Sequence, residues 1–368
     1  MSGRRVKRLL DATPVDPAAE ERAWAVVQAA HAEREPVPRP HRDTRLVLVG
    51  AAAVAAVAVA ALSPPGRAVV DAVRKTIGIE HAQPALFRLP SPGRVLVSGP
   101  GGTWVVAADG SKRRLGDFRE ASWSPHDLYV LAASRNELAA IEPGGKVHWT
   151  LARSNIRFAR WGGSRADTRI AYFTGTQLRV VAGDGTGDTP LAAAALVPPA
   201  WQPGNVHVLA YVDTRGTVIV VDTDRDTTTR LPGRFRRPLS LTWSPNGKTL
   251  VLATAATLVR FDVPTASAHA LALSHVRAVA FSRQGRLAVV RGRSVLVLSG
   301  GQRTIFAAPA ALAGLAWSPD GAWLLTGLPA ADQWIFLQAR GGRRVLAISH
   351  VKTQFGGAPQ LDGWAPGA

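Results

Sequence analysis

An all-β fold of repeated four-stranded blades arranged as a propeller is predicted for this chain by three observations. A short aromatic-turn motif, best preserved as WSPDG at 317–321, recurs along the sequence. Successive copies lie 36 to 47 residues apart, a period near the length of a four-stranded propeller blade. The segments between copies are β-rich and are divided by Gly, Pro, Asn and Asp turns. Seven blades follow, or six if the unit at Trp161 is merged with a neighbour.

The motif residues are predicted to be structural. A large ring between blades buries much apolar area, proline fixes the first turn position, and Asp-Gly or Asn-Gly supplies positive φ in a tight turn. The aromatic residues that open the copies are Trp123, Trp161, Trp201, Trp243, Phe281, Trp317 and Trp364. The turn residues of the better copies are Pro125, Pro245, Gly247, Pro319, Asp320 and Gly321.

The two ends of the repeat region predict how the ring closes. Three strand candidates, at 94–99, 103–109 and 111–116, precede the first motif copy. The last copy, at Trp364, supplies one strand and nothing after it. Together they complete one four-stranded blade, which removes the exposed sheet edge. No stretch after residue 80 shows convincing helical periodicity.

The WSPDG repeat resembles the TolB-type propeller repeat, a relative of the WD repeat. The resemblance covers roughly residues 90–368, with good copies at Trp123, Trp243 and Trp317. It implies a β-propeller and is nearly silent on function. We find no counterpart of the extra N-terminal domain of TolB, so the partners of TolB are not transferred to this chain.

An apolar segment precedes the repeats. Residues 46–62 (LVLVGAAAVAAVAVAAL) contain no charged or polar side chain and as a helix would span roughly 25 Å, near the lower limit for a bilayer core. They predict a single transmembrane helix; the alternative is a buried helix of a soluble protein. Arginines concentrate on the N-terminal side, at Arg34, Arg39, Arg42 and Arg45. This bias predicts a cytoplasmic N-terminus and an extracytoplasmic propeller at the cell membrane.

The remaining segments flank this span. Residues 1–45 form a predicted cytoplasmic tail with one amphipathic helix, on which Trp24, Val27 and His31 share a face. That face suits docking to a cytosolic protein; the alternative is a solvated anchor tail. Residues 63–89 are predicted to be a juxtamembrane helix and linker, and residues 90–368 the propeller.

The charge of the chain favours anionic partners. The formal net charge is +18, and residues 81–368 carry 32 basic and 17 acidic side chains. A basic surface favours a protein or an anionic envelope ligand at the propeller, whereas the predicted outer location disfavours nucleic acid. The alternative is that a coding bias toward Arg raised the net charge without a role in binding.

The sequence assigns no catalytic, metal-binding or cofactor-binding residue. The absence of Cys excludes disulfides and thiolate chemistry. The alternating aspartates of DTDRDTTT at 222–229 lack the Gly and Glu of an EF-hand loop and fall in a predicted turn between strands. We therefore predict a non-enzymatic binding, scaffold or sensor module. The alternative is a propeller hydrolase or lyase acting on envelope polymers, which requires carboxylates or His residues in the central channel.

Overall fold

The computed structural model describes residues 88–164, 166–340 and 344–367. No helix in this part of the chain is long and apolar enough to cross a membrane. The predicted tail (1–45), the predicted span (46–62) and residues 63–87 of the predicted linker lie outside the described residues.

The described residues form seven antiparallel sheets of four strands each. The first three strands, β1 (Arg94–Ser98), β2 (Thr103–Val106) and β3 (Lys112–Gly116), belong to blade 7. Blade 1 contains β4 (Glu120–Trp123), β5 (Val130–Ala133), β6 (Glu137–Ile141) and β7 (Val147–Ala152). Blade 2 contains β8 (Ile156–Gly163), β9 (Thr168–Thr174), β10 (Gln177–Ala182) and β11 (Thr189–Ala193). Blade 3 contains β12 (Ala200–Trp201), β13 (Val208–Val212), β14 (Val218–Asp222) and β15 (Thr227–Arg230).

The second half of the ring repeats this order. Blade 4 contains β16 (Pro238–Trp243), β17 (Thr249–Thr254), β18 (Thr257–Asp262) and β19 (Ser267–Ala272). Blade 5 contains β20 (Val276–Phe281), β21 (Leu287–Arg291), β22 (Ser294–Leu298) and β23 (Gln302–Ala307). Blade 6 contains β24 (Ala313–Trp317), β25 (Trp323–Leu328), β26 (Gln333–Gln338) and β27 (Val345–Ser349). The last strand, β28 (Gln360–Ala365), returns to blade 7.

The chain termini of the propeller close the ring. β28 pairs antiparallel with β1, from Arg94 opposite Ala365 to Ser98 opposite Gln360. The innermost strands β4, β8, β12, β16, β20, β24 and β28 each contact the next, and β28 contacts β4. The predicted all-β fold of seven four-stranded blades is confirmed, and the six-blade alternative is wrong.

Burial follows the position of a strand within its blade. The middle strands are apolar runs covered on both faces, so every residue of β5 is buried. The outermost strands face solvent, and the four residues of β15 (TTTR) are all exposed. Because each blade packs both faces on its neighbours, apolar clusters lie between blades around the ring.

One short helix was not predicted by the sequence. Helix α1 (Val351–Phe355) lies between β27 and β28 and buries Phe355 against Trp334 at 5.0 Å between ring centroids. The Asp332 carboxylate accepts a hydrogen bond from the Lys352 backbone N–H (2.8 Å). Five residues are too few to show helical periodicity, so tertiary packing specifies this turn of helix.

Candidate functional site

The motif aromatics lie on the innermost strands, and three of them make the same type of interblade hydrogen bond. The indole N–H of Trp201 donates to the Arg160 carbonyl (3.0 Å). Trp243 donates to Ala200 (2.9 Å) and Trp317 donates to Ala280 (3.0 Å). Each acceptor directly precedes the motif aromatic of the preceding blade. The indole therefore links adjacent inner strands as well as filling the space between blades.

The other four aromatics lack this bond. The buried indole nitrogens of Trp123, Trp161 and Trp364 have no partner among the described residues. The guanidinium of Arg94 lies 5.2 Å from the Trp123 ring, and Trp161 stacks on Tyr129. Phe281 has no N–H to donate. The repeat is therefore uneven in its interblade contacts.

The WSPDG turn is a tight turn closed within the motif. Gly321 N–H donates to the Ser318 carbonyl (2.8 Å), which places Pro319 and Asp320 at the two central positions. The Asp320 carboxylate accepts a bond from the Ala322 N–H (2.9 Å). Gly321 has a φ of +66° and Gly247, in the equivalent turn, has +67°. Pro125 and Pro245 follow their aromatics in the same way.

The remaining candidate residues separate into two groups by location. Trp24, Val27 and His31 lie outside the described residues. DTDRDTTT forms the connection between β14 and β15, where the Asp222 carboxylate accepts bonds from the backbone N–H groups of Asp224 and Arg225. Within the described part of the chain, no group of three or more His, Asp or Glu side chains is arranged to hold a metal ion.

Three charged side chains meet in the central channel. Glu120 lies on β4, Arg160 on β8 and Asp362 on β28, the inner strands of blades 1, 2 and 7. Glu120 accepts a hydrogen bond from the Phe158 backbone N–H (2.5 Å). Asp362 is the extra residue of a β-bulge, because Leu96 pairs with Gly363 and Val97 pairs with Leu361. Its Oδ2 atom is buried without a hydrogen-bond partner among the described residues.

This environment shifts the pKa values of two of the groups. Burial raises the pKa of Asp362 to about 7, against the opposing effects of the Ser98 hydroxyl and the Arg160 charge, and Glu120 adds to the rise. Burial lowers the pKa of Arg160, and Asp362 and Glu120 oppose that shift. A carboxyl group that titrates near neutrality beside a fixed cation is a typical feature of functional sites.

We expect Asp362→Asn to stabilise the protein at high pH. The folded state holds the Asp362 proton more tightly than the unfolded state, so the stability that the acid contributes is complete below about pH 4 and is lost as the pH rises to about 7. Between pH 4.5 and pH 8, the unfolding free energy of the variant from urea titration should rise relative to that of wild type by about 2 kcal/mol. This figure is smaller than the full pKa shift implies, because solvent in the channel screens the charge. An equal difference at both pH values would contradict the assignment.

The motif-turn end of the channel is bridged by an ion pair. Arg283 Nη2 of blade 5 lies 2.8 Å from Asp127 Oδ2 of blade 1. Arg94 of blade 7 donates to the backbone carbonyl of Asp127 (2.8 Å). Because blades 1 and 5 are not adjacent in the ring, the pair crosses the channel axis and narrows that end.

The opposite end of the propeller, where the inner strands begin, carries arginines. We call this end the strand-start face, and we call the end that carries the motif turns the motif-turn face. Some of its exposed arginines pair with carboxylates, as Arg114 of the strand-start face does with Asp117 and Arg230 does with Asp213. Others form no ion pair with a described carboxylate, and these include Arg119, Arg157, Arg234, Arg236, Arg237, Arg277 and Arg293. Carboxylates concentrate on the motif-turn face instead, at Asp109, Asp127, Glu142, Asp167, Asp184, Asp222, Asp224, Asp226, Asp262 and Asp320. The carboxylates are therefore unevenly distributed between the two faces, while exposed basic side chains occur on both, such as Lys146, Arg225 and Lys248 on the motif-turn face.

The channel residues were not predicted from the sequence, for a definable reason. Glu120, Arg160 and Asp362 lie one to three residues before a motif aromatic, at positions where the other copies have small or apolar side chains such as Ala200 and Ala280. A charged side chain inside an otherwise apolar inner strand was the available signal. The signal could not show that the three groups meet, because they come from three different blades.

The fold and the interblade contacts define a seven-bladed β-propeller. Residues 300–337 match the WD domain, G-beta repeat family. The match begins near β23, the outermost strand of blade 5, and ends on β26 of blade 6. It supports the WD-repeat part of the predicted resemblance, and a propeller of this type is typical of protein-binding scaffolds. The TolB-type relation and the membrane anchor stay predictions.

Solved structures show the same fold at low sequence identity. A protein of unknown function from Desulfotomaculum acetoxidans is similar with a TM-score of 0.54 and 16% identity, over 68% of this chain and 94% of that one. A chain of a mitotic checkpoint complex gives 0.53 and 15%, over 73% and 86%. The β-propeller domain of Cps50 (Swd1) from Myceliophteria thermophila gives 0.50 and 13%, over 64% and 87%. No curated protein matches the sequence.

Proposed function

We propose that this protein is a non-enzymatic binding scaffold or sensor whose propeller binds an acidic protein or an anionic envelope ligand through the strand-start face. The observation that carries the proposal is the cluster of exposed, unpaired arginines around the channel mouth. Arg119 directly precedes β4, and Arg157 and Arg277 are the second residues of β8 and β20. Exposed Leu239 (43%) on β16 adds an apolar contact at the same mouth.

Electrostatics supports this face over the opposite one. Like charges held close together on one face repel one another, and an anionic partner relieves that repulsion while it gains attraction. Carboxylates on the motif-turn face accept backbone N–H bonds in their turns, as Asp184 and Asp262 do. Their negative charge disfavours an anionic partner there.

The proposal predicts that charge reversal at the mouth weakens binding of an acidic polymer. For the full chain with Arg119→Glu, Arg157→Glu and Arg277→Glu, we expect labelled poly-L-glutamate to bind at least about tenfold more weakly by fluorescence anisotropy. Binding by wild type should fall as salt increases. Equal loss in a control with Lys146→Glu, Arg225→Glu and Lys248→Glu, which reverses three exposed charges on the motif-turn face, would reject the strand-start face as the site.

The location of the protein is proposed from the sequence. The apolar segment 46–62 and the arginines before it support a single-pass membrane protein with residues 1–45 in the cytoplasm, where the Trp24 face would dock a cytosolic regulator. Protease added to intact cells should then digest the propeller and spare residues 1–45. Protection of the propeller in intact cells would reject this orientation.

A second candidate function is favoured by the channel carboxylates. Glu120 and Asp362 fit the expectation that a hydrolase or lyase would need acidic groups in the channel, with Asp362 as proton donor and Arg160 as a fixed cation for an anionic substrate. In this case the wild-type chain releases soluble fragments from purified envelope polymer, and Asp362→Asn abolishes the release. Absence of fragments with wild type would leave the binding function alone.

A further inference from the structure

The junction between blades 4 and 5 contains a cavity of 540 Å³. Val251, Leu258 and Leu271 line it from blade 4, and Phe281, Leu287 and Leu298 line it from blade 5. This volume falls within the range of small-molecule sites. Leu271 is 42% exposed and Phe281 is partly exposed, so the apolar wall is open to solvent.

The cavity lies where the repeat departs from its own pattern. At the equivalent junctions, Trp243 and Trp317 are 5% and 6% exposed and donate their indole N–H groups to the preceding inner strand. Phe281 is smaller and cannot donate this bond. The carbonyl that corresponds to the acceptors Ala200 and Ala280 is that of Thr242. The sequence change from Trp to Phe therefore coincides with the opening between the blades.

Basic side chains border the apolar wall. Arg260 on β18 and His269 on β19 are directly opposite each other in the sheet register, and both are exposed. Both line the cavity and an adjoining depression that also contains Asp262. The Asp262 carboxylate accepts bonds from the backbone N–H and hydroxyl of Thr265 (3.1 and 2.8 Å), so it is committed to its turn. Arg283, on the other wall, is paired with Asp127.

We propose that this cavity binds a small aromatic carboxylate, with its ring against Phe281 and its carboxylate on Arg260. A planar ring fits the position that indole rings occupy in the better copies of the repeat, and aromatic pairing adds to apolar burial. A guanidinium binds a carboxylate through two parallel hydrogen bonds. The inference is independent of the strand-start face, which lies at the other end of the strands.

The test uses indole-3-acetate as the probe and 3-methylindole, which lacks the carboxylate, as the matched comparison. Isothermal titration calorimetry with the full chain should show saturable binding of indole-3-acetate, about tenfold or more tighter than 3-methylindole. Arg260→Gln should remove most of that difference. Arg225→Gln, at an exposed arginine outside the cavity (81% side-chain exposure), should leave it unchanged.

Phe281→Trp tests the cavity itself. The larger ring should fill the space and donate to Thr242, so binding of indole-3-acetate is lost while the thermal midpoint equals or exceeds that of wild type. Binding unchanged in Phe281→Trp, equal loss in the two arginine variants, or no saturable binding to wild type would each overturn the proposal. If Phe281→Trp does not fold, the arginine pair decides the outcome.

Discussion

Deletion of residues 360–368 is expected to abolish cooperative folding of the propeller. These residues contain β28, whose five register pairs with β1 complete blade 7 and whose other contacts reach β24 and β4. Without β28, the edge of β1 loses its partner and blades 6 and 1 face an open gap. The large apolar side chain of Trp364, 6% exposed and 5.7 Å from Phe336 between ring centroids, is removed as well.

Urea unfolding followed by circular dichroism, together with gel filtration, measures this effect. We expect the truncated chain to aggregate or to unfold without a sharp transition. Deletion of residues 367–368 alone keeps every β28 pair and should leave the unfolding free energy within about 0.5 kcal/mol of wild type. A cooperative transition near the wild-type midpoint in the longer deletion would show that ring closure contributes little.

Trp317→Ala is expected to give the largest loss of stability from a single substitution, about 3–5 kcal/mol. The change removes a ring that is 6% exposed and belongs to the apolar cluster between blades 5 and 6. It also removes the indole bond to Ala280 and the Arg286 guanidinium contact, 4.7 Å from the ring centroid. The unfolding free energy from urea titration measures the loss.

Two further variants separate the contributions at this position. Trp317→Phe keeps an aromatic ring and loses the N–H donor, so we expect a smaller loss of about 1–2 kcal/mol. Leu239→Ala changes an exposed side chain and should alter stability by less than about 0.5 kcal/mol. A loss below about 1 kcal/mol in Trp317→Ala would mean that the motif ring is not a major interblade contact.

The period of the motif was enough to predict the fold because a propeller blade is a local unit. Four consecutive strands with short turns pair with their sequence neighbours, so turn residues such as Gly247 and Gly321 mark the blade directly. Ring closure could also be predicted from the sequence, since three strands at one end and one at the other must pair to complete a blade. Helix α1 could not be predicted from the sequence, because contacts of Phe355 with side chains distant in sequence specify it.

The candidate sites depend on positions that the repeat does not encode. The β-bulge at Asp362 changes which way this residue faces, and a register shift of one residue moves a side chain to the other face of a strand. The cavity at Phe281 was visible only as a degraded motif copy. Its volume depends on how the side chains of β18, β19 and β22 pack beside that smaller ring.

The sequence by itself determined the blade period, the turn chemistry and the strand that closes the ring. Each of these follows from local patterning within about 40 residues. Only the tertiary structure decided that Glu120, Arg160 and Asp362 share the channel, that Asp127 and Arg283 pair across it, and that carboxylates concentrate on the motif-turn face. Asp127 and Arg283 are 156 residues apart, and such distant groups meet only when the ring has closed with a definite number of blades.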